Sequence, residues 1–173
     1  HQEAYDNCIQ AVRIAEHADI RLPTMHMYDG YVISGAIGPL KMLSDQAVRE
    51  FIGPYRSTNP LLDTKRPVTV GPFDGLHGFY FEHKVSQNRA MDRALKVIQD
   101  VADEYAERSG RQYGLLDPYR LDDAEVAIVV VGSTAGTTRM VVDKLRAGGV
   151  KAGMVRVRAF RPFPHEAYAE ALQ

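Results

Sequence analysis

Residues 125–160 constrain the fold more than any other stretch. Val126 to Val131 is a continuous apolar run rich in β-branched side chains, which predicts a strand buried on both faces, as in a parallel sheet. Gly132-Ser-Thr-Ala-Gly136 then turns the chain. The hydroxyls of Ser133, Thr134 and Thr137 are suited to accept from the free N–H groups of a first helical turn. Met140, Val141, Val142 and Leu145 follow at helical spacing, and Gly148-Gly149 supplies a stop. Met154, Val155 and Val157, with Phe160, read as a second strand. A parallel pair joined by a helix needs a right-handed crossover, so the chain is α/β.

The glycine turn invites comparison with phosphate-binding loops. Its spacing is G-x-x-x-G rather than G-x-G-x-x-G, and Thr137-Thr138 stand where a phosphate loop carries Gly-Lys. A tight strand-to-helix turn explains the small residues. An anion or carboxylate held at the helix N-terminus is the alternative.

Composition excludes several classes. The chain has 21 basic and 22 acidic side chains with no basic run, so nucleic-acid binding has no electrostatic support. The single cysteine, Cys8, rules out an internal disulfide framework and an iron–sulfur cluster ligated by this chain alone. No apolar stretch approaches the roughly 20 residues of a membrane span, and no signal sequence is visible; the expectation is a soluble cytoplasmic protein. Helical periodicity begins at once after His1-Gln2-Glu3 and still runs from Glu166 to Leu172, which predicts a fragment of a longer polypeptide.

Along the chain, residues 3–17 read as a helix with Tyr5, Cys8, Ile9 and Val12 among its apolar positions. Cys8 on this face is expected to be a small buried hydrophobe. Residues 22–28 read as a strand with Pro23 near its start, and Asp29-Gly30 as a turn. Val32 to Ile37 is small and flexible, and Ser44-Asp45-Gln46 opens a short helix over 47–52. Gly53 to Gly78 carries Pro54, Pro60, Pro67 and Pro72 without periodicity; so long an irregular stretch is often functional or packs on a partner. Residues 80–108 are helical, with Val85, Met91, Val97, Val101 and Tyr105 on the apolar face, and Gly110-Arg-Gln-Tyr-Gly114 ends them. Residues 115–123 read as a linker.

None of the six histidines is paired at metal-ligand spacing; His77 and His83 lie six apart, so no metal site is predicted. His26, on an apolar strand, reads as a satisfied core histidine. Ligands in open α/β sheets collect at the carboxyl ends of strands. That makes Asp29, Ser34 and Gly35 candidates for a substrate pocket or interface, against the alternative of a structural turn. Arg156, Arg158 and Arg161 alternate on one strand face. They suggest an edge or interface paired with a neighbour's carboxylates, or a site for a substrate carboxylate. Residue chemistry alone names no reaction.

Several segments, in order, carry a resemblance: Gly110-Arg-Gln-Tyr-Gly114, Leu121-Asp-Asp-Ala-Glu-Val126, Gly132-Ser-Thr-Ala-Gly-Thr137, Val141-Val-Asp-Lys-Leu-Arg146, Gly149-Val-Lys-Ala-Gly153 and Val157-Arg-Ala-Phe-Arg-Pro-Phe-Pro164. Gln2-Glu-Ala-Tyr-Asp6, Asp29-Gly-Tyr31 and Phe51-Ile-Gly-Pro-Tyr55 fit as well. Together they resemble the α subunit of pyruvate:ferredoxin oxidoreductases (pyruvate synthases) and their 2-oxoacid relatives. The resemblance implies the end of a thiamine-enzyme pyrimidine-binding-type domain over residues 1–112. The start of a transketolase C-terminal-like parallel-sheet domain follows over residues 113–173. It also implies oxidative decarboxylation of a 2-oxoacid on thiamine diphosphate, electrons leaving through [4Fe-4S] clusters to ferredoxin, and an acyl group passing to coenzyme A.

Thiamine diphosphate, Mg²⁺ and the clusters are then properties of a whole complex with β, γ and δ subunits or fused equivalents. No catalytic residue is expected within this fragment. Many relatives carry histidine after the serine of the Asp-Gly-aromatic…Ser loop, where this chain has Gly35. That departure leaves open another 2-oxoacid, such as oxalate or 2-oxoisovalerate. A non-catalytic α/β assembly module and a transketolase-like enzyme without electron transfer are the remaining readings.

Overall fold

The computed structural model describes residues 1–69, 75 and 78–173. Two packing units build the chain. The first is helical: α1 (Gln2–Ala15) lies against α3 (Asp45–Ile52) and α4 (Tyr80–Ser109). Ile9, Phe51, Val97, Val101 and Tyr105 form its core, with the Phe51 and Tyr105 rings edge-on at 5.2 Å. Ser44 caps α3 by accepting from the Ala47 N–H at 3.2 Å, as its place before an apolar run predicts. Gly110 closes α4 in the left-handed conformation (φ 68°).

The second unit is a three-stranded sheet in the order β1 (Leu116–Tyr119), β3 (Ala152–Val157), β2 (Val126–Val131). β2 and β3 run parallel, with Val126 opposite Ala152 and Val131 opposite Val157. The helix α5 (Thr134–Ala147) joins them and buries Ala135 and Val142 against Ala152 and Met154. The strand–helix–strand unit read from the sequence is therefore present, ending α5 before Gly148-Gly149. A short helix, α6 (His165–Ala171), follows.

The structure corrects five local expectations. β2 is an edge strand and not buried on both faces: Ile128 and Val130 face α5, while Val126, Val129 and Val131 are exposed. The supposed linker at 115–123 contains β1, paired antiparallel with β3 so that Asp117 stands opposite Arg156. Pro118 lacks an N–H donor, but an edge strand tolerates that. Residues 22–28 form no strand, because no strand among the described residues pairs with them. The small-residue stretch after Tyr31 contains a one-turn helix, α2 (Val32–Gly35). Cys8 is exposed on the outer side of α1 and is not a core residue.

Candidate functional site

The two units meet at a dense polar junction. Asp6, on the inner face of α1, is fully buried. Its carboxylate accepts from Tyr105 Oη at 2.6 Å, Tyr113 Oη at 2.6 Å, Arg111 Nε at 2.7 Å and Arg111 Nη2 at 2.8 Å. Gln2 Nε2 adds a fifth donor at 3.1 Å. Burial pushes the Asp6 pKa up, but Arg111, Tyr105, Tyr113 and Gln2 outweigh it and hold the carboxyl below its ordinary value. The same burial, joined by the neighbouring Asp6 charge, pushes both tyrosines up.

Beside it, β3 reaches back to α1. Arg156 Nη1 donates to Glu3 Oε2 at 2.7 Å and Arg156 Nε to Asp117 Oδ2 at 3.1 Å. Arg139 of α5 shares Asp117 at 2.7 Å. Arg158 lies over the Tyr113 ring at 4.7 Å and donates to Gly114 O, to Asn7 and to Gln10. Arg156, on the central strand, and Arg158, just past its end, thus pair inside the chain. They do not mark a sheet edge. A cleft of about 450 Å³ lies alongside, lined by Arg139, Arg156, Arg158, Tyr113 and Asp117.

The sequence-predicted candidates lie in a separate place. Asp29 is half-buried and accepts from the Ile33 N–H at 2.9 Å and the Tyr31 N–H at 3.3 Å, so it caps α2. The Ser133 hydroxyl, followed by the Ile33 N–H, holds the Asp29 carboxyl below its usual value. Asp29 Oδ2 is nonetheless shut off from solvent without a hydrogen bond of full geometry. Ser133 occupies the N-cap position of α5 but makes no cap bond there. Gly132 turns the chain with φ 71°, a conformation that favours glycine. Two features far apart in sequence, the Asp29 turn and the Gly132-Ser133 turn, are therefore neighbours.

Ser34 and Gly35 are exposed beside them. A Cβ at Gly35 would meet nothing within 4 Å. His26 is half-buried with Nε2 unpartnered, so it is not a satisfied core histidine. Burial lowers its pKa, opposed by the Glu3 charge. His77 lies outside the described residues, and no cluster of histidine, cysteine or acidic side chains among the described residues could hold a metal.

The polar junction is what the sequence reading lacked. One signal pointed to it: Asp6 falls between Tyr5 and Ile9 on a helix otherwise facing a core, and a carboxylate there needs partners. Some partners come from segments that carry the resemblance (Gln2, Glu3, Arg111, Tyr113 and Arg158), and others, Tyr105, Asp117, Arg139 and Arg156, lie outside them.

A family model described as pyruvate flavodoxin/ferredoxin oxidoreductase, thiamine diphosphate-binding, matches residues 1–103. The chain belongs to this oxidoreductase family. A second model, pyruvate:ferredoxin oxidoreductase core domain II, matches residues 124–173. Pyruvate synthase subunit PorA of Thermotoga maritima is 47% identical over 171 residues, covering 99% of this chain and 43% of the relative. PorA of Methanocaldococcus jannaschii is 42% identical over 174 residues, covering 99% and 44%. The α subunit of an NADH-dependent phenylglyoxylate dehydrogenase from Aromatoleum evansii is 36% identical over 178 residues, covering 99% and 43%. The chain spans less than half the length of these curated relatives. Among the described residues, no helix is long and apolar enough to cross a membrane.

Proposed function

We propose that this chain is part of the α subunit of a thiamine-diphosphate-dependent pyruvate:ferredoxin oxidoreductase. The whole complex would decarboxylate pyruvate oxidatively, pass electrons to ferredoxin and transfer the acyl group to coenzyme A. Within it, residues 1–112 form the end of a pyrimidine-binding-type domain and residues 113–173 open a transketolase C-terminal-like domain. One observation carries the reading: the 47% identity to PorA extends over 99% of this chain.

The described residues do not by themselves fit Mg²⁺, since they hold no ligand cluster. One exposed cysteine cannot ligate an iron–sulfur cluster alone. No reaction step is therefore assigned to residues of this chain. Their contribution is to hold two domains in register through Asp6, Arg111, Arg156 and Arg158, and to line a pocket wall at Asp29, Ser34 and Gly35. Thiamine diphosphate, Mg²⁺ and the clusters would then belong to the whole complex with its β, γ and δ subunits or fused equivalents, this chain contributing the segment that matches a thiamine diphosphate-binding model. A cytoplasmic location is part of this proposal.

The test is to purify the complete complex and follow coenzyme A-dependent reduction of ferredoxin or viologen with pyruvate, 2-oxoglutarate, 2-oxoisovalerate and oxalate. Turnover with pyruvate is expected. An assembled complex that turns over none of them would sink the proposal and leave a non-catalytic assembly module.

The open space at Gly35 favours a second reading of the substrate. A Cβ there meets nothing within 4 Å, so the histidine of many relatives would begin in open space and its absence removes an imidazole from the proposed pocket wall. Preference for another 2-oxoacid in the same assay, shifted toward pyruvate by Gly35→His, would support that reading.

A further inference from the structure

The cleft beside the polar junction is unevenly charged. Arg139 of α5, Arg156 of β3 and Arg158 just past β3 line it with a single carboxylate, Asp117. Glu3 stands behind them on α1, outside the lining. The charges alternate along a chain. Arg139 meets Asp117 at 2.7 Å, Arg156 meets Asp117 at 3.0 Å and Glu3 at 2.7 Å, and Arg158 meets Glu3 at 3.4 Å. A chain with a cation at both ends is one anion short.

Its two end members carry the deficit. Arg139 commits only Nη2, to both oxygens of Asp117. Its Nε and Nη1 have no hydrogen-bond partner among the described residues. Arg158 gives its Nη hydrogens to neutral oxygens of Gly114, Asn7 and Gln10. Its Nε is shut off from solvent and too poorly aligned with Glu3 for a hydrogen bond. Burial pulls the Arg158 pKa below its ordinary value, against the Glu3 charge. A cation taken out of water is costly until its counter-charge is complete.

Another part of the lining has a different character. Gln99 of α4 and Gln112 give their amide hydrogens to Asp103 Oδ1, at 2.9 and 2.8 Å, and to Tyr113 O, at 3.5 and 3.3 Å. That leaves each Oε1 as an acceptor for a hydroxyl. The space of about 450 Å³ is in the range of small-ligand sites, which favour the meeting place of two units.

We propose that this cleft binds a small hydroxylated phosphate monoester, its phosphate held by Arg139, Arg156 and Arg158 and its hydroxyls by Gln99 and Gln112. Phosphate suits the cleft better than carboxylate does. It carries a charge of about −1.5 to −2 at pH 7 and three strong acceptor oxygens, within reach of guanidiniums from three separate positions, whereas a carboxylate is satisfied by one planar fork. Asp117 does not oppose it, because both of its oxygens are covered by Arg139 and one also by Arg156.

The inference does not rest on the oxidoreductase reading, and its test reads binding instead of turnover. Titrate the complete complex calorimetrically, at fixed ionic strength, with glycerol 3-phosphate, inorganic phosphate and glycerate. Glycerol 3-phosphate is expected to bind tightest, inorganic phosphate several-fold more weakly, and glycerate more weakly still. Arg139→Gln should weaken both phosphates by about 10-fold, the effect of a lost charge-assisted hydrogen bond. The thermal melt should stay nearly unmoved, because Arg156 still holds Asp117. Gln112→Ala, at an exposed position, should weaken glycerol 3-phosphate by a few-fold and leave inorganic phosphate unchanged. No binding of glycerol 3-phosphate, or binding that neither variant alters, would overturn the proposal. So would glycerate bound as tightly as glycerol 3-phosphate, which would make the cleft a carboxylate site.

Discussion

Asp6 and Asp29 are both carboxylates held below their ordinary pKa, yet they are built differently. Asp6 is wholly buried and meets donors from α1, α4 and the segment after α4. Asp29 sits at a turn, takes two backbone N–H groups from the next few residues, and faces the hydroxyl of Ser133 from the other packing unit. The first is a structural keystone whose partners are all committed. The second keeps one oxygen uncommitted, beside exposed Ser34 and Gly35. A buried carboxylate can thus join two packing units, while one at a turn stays open to a neighbouring hydroxyl.

Breaking the keystone should have the largest effect. Removing one member of a buried, hydrogen-bonded ion pair leaves the other charge uncompensated, a loss of about 3–5 kcal/mol. Asp6→Ala is expected to destabilise the full subunit by that amount in urea unfolding, because Arg111, Tyr105 and Tyr113 all lose their acceptor. Asp29→Ala should leave the midpoint nearly unchanged. Equal effects at the two positions would erase the distinction drawn between them.

Acid should break the keystone more gently. A carboxyl with a depressed folded-state pKa contributes stability that is fully present above its unfolded value, about 3.9 for aspartate. That contribution is lost as pH falls through the folded value. Tyr105 and Tyr113 are shifted the other way, so their contribution is complete below about pH 10 and fades above it. The stability gap between wild type and Asp6→Asn should therefore be constant from about pH 5 to 9 and shrink below about pH 4. A gap that instead widened on acidification would contradict the assignment of the charged form.

How much of this was legible in the sequence follows from what each element depends on. The β2–α5–β3 unit was readable because its periodicity and glycine stops are local. β1 was not, because Pro118 disguises a strand that only its edge position permits. The 22–28 stretch alternates like a strand, but a strand also needs a neighbour, and periodicity cannot supply one. Asp29, Ser34 and Gly35 could be singled out as a strand-end turn. Their approach to Ser133 could not, because it joins residues about a hundred positions apart through tertiary packing. The polar junction was hidden for the same reason: each of its residues looks ordinary alone, and only the fold brings Glu3, Asp6, Asp117 and four arginines together.

The smallest predicted effect probes that contact between turns. Ser133 stands at the N-cap of α5 without capping it, so Ser133→Ala removes no helix bond. A Ser-to-Ala change at a working cap lowers stability by about 1 kcal/mol; here the loss should be well below that. The Asp29 carboxyl should respond instead, since Ser133 is the foremost group holding its pKa down. Carbon-detected NMR titration of Asp29 in the full subunit is expected to show its pKa rising toward the ordinary aspartate value in Ser133→Ala, with the urea midpoint unmoved. A full capping loss with an unshifted Asp29 would make Ser133 a helix cap and separate the two turns.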